Sequence, residues 1–222
     1  MFAALTIGRL LVVPTKHDAI YVGADGCKQG RWIAALADQR MRCELALFDD
    51  LPSLVRACPT AERILIDVPI GLCDGRRECD RQAKAVLSRH NSRVFLAPTR
   101  SAVAAATWAD ANRINREVAG SGLSKQAWAI VPRIRATDEC LRADAAARGV
   151  IRECHPEICF WALAGRPIVA NKKSVEGQQE RLAILARFIP DAEALLADAL
   201  GRWRRSQLAA DDVIDALVTV VT

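Results

Sequence analysis

The chain has 222 residues, 51% of them hydrophobic and 26% charged, with a net charge of +5. That composition excludes a disordered or fibrous protein and allows one domain with a substantial core. No apolar run reaches the roughly 18 residues of a membrane span, so no membrane partner is expected.

A mild basic excess permits a nucleic-acid partner without requiring one. The excess is local. Between Arg76 and Arg100 there are seven basic residues, Arg76, Arg77 and Arg81 among them, and only two acidic ones, Glu78 and Asp80. Two readings stand for this segment: a solvated helix face, or a surface that guides a polyanion. None of the eight cysteines forms a C-x-x-C pair, so neither a zinc ribbon nor a thioredoxin-type site is indicated. Several, in apolar surroundings, read as small core residues in a reducing compartment, and a cytoplasmic location is expected.

Residues 1–19 are expected to be a leader, disordered or mis-started. Met1 to Val13 is apolar but interrupted by Arg9 and carries no evident signal-cleavage site. Ile20 to Gly26 reads as the first strand and ends on Asp25 and Gly26. The Asp-Gly pair is a hairpin signal, or else it plants a carboxylate at a sheet edge. Arg31–Ala37 and Met41–Phe48 read as two further strands, completing an antiparallel meander. Asp49 or Asp50 then caps a short helix with Pro52 in its first turn. Arg63–Val68 is apolar except for Asp67, which predicts a central strand parallel to a neighbour. Pro69 and Gly71 end it directly after Asp67, which puts that carboxylate at the strand's C-terminal edge.

Residues 74–148 read as a helical insertion within a single domain spanning 20–222. A charged helix runs over Arg76–His90, and another through Trp108. Gly120–Gly122 is a loop. Pro132 precedes a long helix to Arg148, which Gly149 caps. Val150–Cys154 is a fifth strand, followed by His155, Pro156 and Glu157 and a helix over Ile158–Ala164. Ser174 is a possible cap for an amphipathic helix over Glu176–Phe188. Arg202, Arg204 and Arg205 form a second basic cluster. The last helix, Ala209–Val221, places Asp212 and Asp215 on one face, with Val213, Ile214, Leu217 and Val218 anchoring it on the sheet.

If strands one, four and five adjoin, Asp25, Asp67, Glu153, Asp212 and Asp215 converge at one end of the sheet. Crowded carboxylates repel one another unless a cation neutralises them, and hard oxygen ligands select Mg²⁺ or Mn²⁺. Two such ions about 4 Å apart activate water and stabilise a leaving oxygen in phosphodiester hydrolysis.

The element order resembles the ribonuclease H-like fold: an α/β domain with a mixed five-stranded sheet, three strands antiparallel and then parallel ones, flanked by helices. Five motifs resemble something narrower. Val-Gly-Ala-Asp-Gly-Cys-Lys-Gln-Gly-Arg-Trp, Ile-Asp-Val-Pro-Ile-Gly-Leu, Gly-Leu-Ser-Lys-Gln-Ala-Trp-Ala-Ile, Glu-Cys-His-Pro-Glu and Asp-Asp-Val-Ile-Asp-Ala-Leu are together similar to the DUF429 family. That is a bacterial family of unknown function, predicted to be nucleases of the ribonuclease H-like superfamily. The resemblance implies metal ligation by Asp25, Asp67 and Asp212 or Asp215, with Glu153 and Glu157 as further ligand candidates. His155 is then a proton shuttle or a structural hydrogen-bonder. Lys125, Gln126, Lys172 and Lys173 are phosphate or scissile-strand contacts. The expected function is metal-dependent hydrolysis of nucleic acid. The competing readings are a non-catalytic nucleic-acid or protein-binding module on the same fold and an ATP-binding phosphotransferase, for whose second domain the chain leaves no room.

Overall fold

The computed structural model describes residues 20–222; the leader expected over residues 1–19 lies outside them. Five strands form one sheet: β1 (Ile20–Gly26), β2 (Trp32–Ala37), β3 (Cys43–Phe48), β4 (Ala61–Ile66) and β5 (Ile151–Glu153), in the spatial order β3-β2-β1-β4-β5. The first three are antiparallel, while β4 runs parallel to both β1 and β5. The expected mixed sheet is therefore present. β4 lies between two parallel neighbours, although Glu62 and Arg63 at its start are exposed.

Turn chemistry sets the strand limits. The Asp38 carboxylate accepts the amides of Arg40 and Arg42 at 2.9 and 3.0 Å, which bends the chain back after β2. Met41 takes φ 58° in that turn, so β3 begins at Cys43 and not at Met41. After β3, α1 (Leu51–Ala57) starts on Asp50, whose carboxylate accepts the Ser53 amide at 2.7 Å while the Ser53 hydroxyl accepts the Asp50 amide. This reciprocal cap satisfies two donors that the first turn would otherwise leave open.

Between β4 and β5 lie α2 (Glu78–Leu87), α3 (Arg100–Val103), α4 (Trp108–Ala119), α5 (Lys125–Ala143) and α6 (Ala145–Val150). Several boundaries differ from expectation. The helix expected through Trp108 stops at Val103, because the Thr107 hydroxyl caps a new helix by accepting the Asp110 amide. Pro132 lies inside α5 and not before it. Ser124 caps that helix at its true start, and Pro132 faces solvent, where one missing hydrogen bond is tolerated. The helix expected to reach Arg148 breaks at Asp144, whose carboxylate caps α6 through the amides of Ala146 and Ala147. Gly149 lies within α6 and caps nothing, and β5 is shorter than the five residues expected.

The chain closes with α7 (Pro156–Ala164), α8 (Val175–Leu185, capped by Ser174), α9 (Ala192–Arg202) and α10 (Ala210–Val221). The sequence reading had only an arginine cluster where α9 ends. Alternation along the strands sends side chains to two cores. Val22, Ala24, Ala34, Ile64 and Ile66 pack against α1 and α3–α6. Ile33, Ala35 and Leu45 pack against α7–α10. Val213, Ile214, Leu217 and Val218 are fully buried, each contributing about 1.5–3 kcal/mol by transfer from water. That anchors α10 as expected. The helix lies so close to β1 that a Cβ on Gly23 would strike the backbones of Ala216 and Val220. Cys27, Cys43, Cys58 and Cys159 are buried, whereas Cys73 and Cys79 are exposed. No helix among the described residues is long and apolar enough to cross a membrane.

Candidate functional site

The parallel pairing of β1 and β4 brings two aspartates to one edge. Ala24 pairs with Ile66, and the Asp67 amide continues the ladder by donating to the Ala24 carbonyl at 3.2 Å. Asp25 and Asp67 therefore leave neighbouring strands at the same level. α10 crosses behind them and adds Asp212 and Asp215 from its first turns. The four line a cavity of about 1110 Å³.

Their charges are poorly compensated. Burial is the largest influence on all four. It pushes Asp25 well above the usual carboxylate range, with the charges of Asp67, Asp215 and Asp212 adding to the effect. Burial raises Asp67 and Asp215 to about 7 each, against the opposing pull of Lys172. Asp212 is also raised, although its carboxylate accepts the Ala209 amide at 2.8 Å. Lys172 donates to Oδ2 of Asp215 at 2.6 Å and lies 3.8 Å from Asp211. Burial lowers its pKa, but the surrounding carboxylates, Asp215 first, outweigh burial and leave it raised. Oδ1 of Asp215 is buried with no hydrogen-bond partner.

The structure brings most of the expected residues to this cavity. Glu153 lines it, with its carboxylate held by Arg77 at 2.6 and 2.8 Å and by the Ile70 amide at 2.8 Å. Arg77 also binds Asp80 and is buried, so it joins the cavity wall to the start of α2. Glu157 lines the cavity between Arg93 and Arg181. Burial works to raise its pKa, but the two guanidiniums prevail and hold it below the usual value. His155 is kept neutral by burial, and its Nδ1 has no partner. Gln126, Lys172 and Lys173 line the cavity as well.

Three expected contacts lie elsewhere. Lys125 sits 3.5 Å from the centre of the Trp108 ring. Arg76 donates to the Ala119 carbonyl at 3.0 Å. Arg81 pairs with Glu78 on the exposed face of α2. Arg133, which the sequence reading passed over, lines the cavity. A signal for it existed: Gln126, Ile130 and Arg133 follow the i, i+4, i+7 spacing of one helix face, and all three line the cavity.

The donor set is one of hard oxygen atoms, the kind that suits Mg²⁺ or Mn²⁺. Crowded carboxyls with raised pKa values and one orphaned buried oxygen are what a bound cation relieves. Among the described residues, no three His, Cys, Asp or Glu side chains are close enough to chelate one ion as they stand. Ligation would need side-chain rotation at the cavity floor.

Fold and site together define an α/β domain with an aspartate-floored cavity at the C-terminal edge of parallel strands. The chain belongs to the DUF429 family of proteins of unknown function, whose model matches residues 23–222. No curated protein and no solved structure matches it.

Proposed function

We propose that the protein is a divalent-metal-dependent phosphodiesterase acting on nucleic acid in the cytoplasm. The observation that carries this reading is the meeting of Asp25, Asp67, Asp212 and Asp215, from three elements, around a single hydrogen-bonded ammonium. Asp25 and Asp67 would hold Mg²⁺ or Mn²⁺ together with Asp212 or Asp215. When bound, such an ion would supply an activated water and charge for the leaving oxygen. The residues of the chain supply the rest. His155, neutral and buried, accepts a proton at the cavity wall. Lys173, exposed at the rim, draws in a polyanion. Arg77, through its hold on Glu153, fixes the wall beside Asp67.

The test is Mn²⁺ titration of wild type and Asp25→Asn by calorimetry, with single-stranded, duplex and branched DNA and RNA assayed in parallel. Saturable binding in wild type, at least tenfold weaker in the variant, is expected together with Mn²⁺-dependent cleavage that the variant loses. Equal binding by both proteins, or wild-type cleavage by the variant, overturns the assignment.

A further inference from the structure

Most cationic groups of the cavity already have carboxylate partners. Arg77 binds Asp80 and Glu153, Arg93 binds Glu157, and Lys172 binds Asp215. Arg133 differs: no carboxylate among the described residues comes within ion-pair distance of it. It nevertheless lines the same cavity as Asp67 and Asp212. An arginine that shares a cavity with carboxyls it does not pair with leaves space between them for something else.

The guanidinium is held firmly. Nη2 donates to the Cys27 carbonyl, and the group stands 5.6 Å from the Trp32 ring centre. Gly26 lets it approach β1, because a Cβ there would collide with the guanidinium itself. Nε is buried without a partner, and Nη1 has no acceptor among the described residues. A guanidinium presents donors in a rigid fork that matches phosphate, and one already immobilised loses little entropy on binding. Lys173 also faces the cavity without a carboxylate partner, but it is exposed and flexible, suited to attraction and not to placement.

We propose that Arg133 is the phosphate anchor of this cavity, placing a phosphate or phosphodiester oxygen between its guanidinium and the aspartates. The proposal rests on the phosphodiesterase reading for what the anchored group undergoes, but binding can be tested apart from it. The Gly26–Arg133 contact is then a specificity device: it fixes the anchor beside Asp25, so that a bound phosphate meets the carboxylate edge in one orientation.

The experiment is titration of wild type, Arg133→Met and Arg133→Lys with inorganic phosphate by calorimetry, and separately with Mn²⁺. Thermal melts and far-ultraviolet dichroism check the fold of each variant. Phosphate affinity is expected to fall at least tenfold in Arg133→Met and to recover in part in Arg133→Lys. Mn²⁺ affinity should stay unchanged or tighten, since a positive charge is removed near the aspartates. If Arg133→Met does not fold, a several-fold phosphate loss in folded Arg133→Lys carries the same meaning, because lysine keeps the charge and lacks the fork. No phosphate binding by wild type, or equal binding by wild type and the folded variants, overturns the anchor. A phosphate difference without any Mn²⁺ binding supports the anchor and removes only the metal reading.

Discussion

Arg76 and Arg77 are neighbours in sequence and end in different environments. Arg76 reaches across to the end of α4, while Arg77 is buried between Asp80 and Glu153. Composition groups them with Arg81 as one basic patch, because it counts charges and not directions. Only the cap position of Arg77, just before α2, turns it toward the sheet edge. Removing one member of a buried charge cluster leaves the others uncompensated. Arg77→Ala should therefore cost about 3–5 kcal/mol in urea denaturation, whereas Arg81→Ala, in an exposed pair, should leave the midpoint unchanged. Equal effects would mean that Arg77 is not a clamp. Asp25 and Asp67 were legible for the opposite reason: each falls at the end of a β-forming run, Asp25 directly before Gly26 and Asp67 two residues before Pro69, so local sequence points to where the carboxylate emerges.

At the scale of elements, the strands were easier to read than the helices. Apolar runs ended by Asp-Gly or Pro mark strands, although β4 lies two residues earlier than the Arg63–Val68 run expected. The insertion between β4 and β5 offered competing punctuation, and Pro132 and Gly149 were both misleading. Proline on an exposed helix face removes one hydrogen bond and does not end the helix, and glycine caps a helix only where the chain turns left-handed. Ser124 and Asp144, whose side chains make the caps, were the better signals. Gly23 shows the tightest demand at this scale. Gly23→Ala should destabilise by about 3 kcal/mol, the upper end for overpacking, because the obstacle is helix backbone and not a flexible side chain. A loss too small to measure in denaturant would show that α10 can lift off β1 without cost.

For the whole molecule, the raised carboxyls tie stability to pH. A carboxyl whose folded pKa lies above its unfolded value favours the folded state while protonated. That stabilisation is complete below about pH 4 and is lost as pH rises toward about 7, where Asp67 and Asp215 titrate when folded. Glu157, shifted down, acts in the other direction, and its contribution is lost only as pH falls below the ordinary glutamate range. His155, which burial shifts down, opposes the aspartates only as pH rises toward its ordinary value near 6.5, and above that the aspartates set the slope. Melting temperature should fall in chelator from about pH 6.5 to 8, and at pH 8 Mn²⁺ at a hundredfold excess over its dissociation constant should restore about 2.7 kcal/mol of stability. A flat profile in both conditions would show that the aspartates do not share one electrostatic field. The mixed sheet, antiparallel and then parallel, was legible because two short turns, one short helix and a long insertion leave few ways to connect five strands. That Arg133 would stand in the cavity without a carboxylate partner among the described residues was not, since that depends on which carboxylates the other arginines reach.

The seat of α10 on Gly23 joins the two ends of the described chain. Closing so long a loop carries a large entropic cost before its contacts give any return. The cavity takes aspartates from both sides of that closure, so no partly assembled chain can present all four. During synthesis the face of β1 that carries Gly23 waits for α10 before it is covered, and the four aspartates meet only once that helix docks.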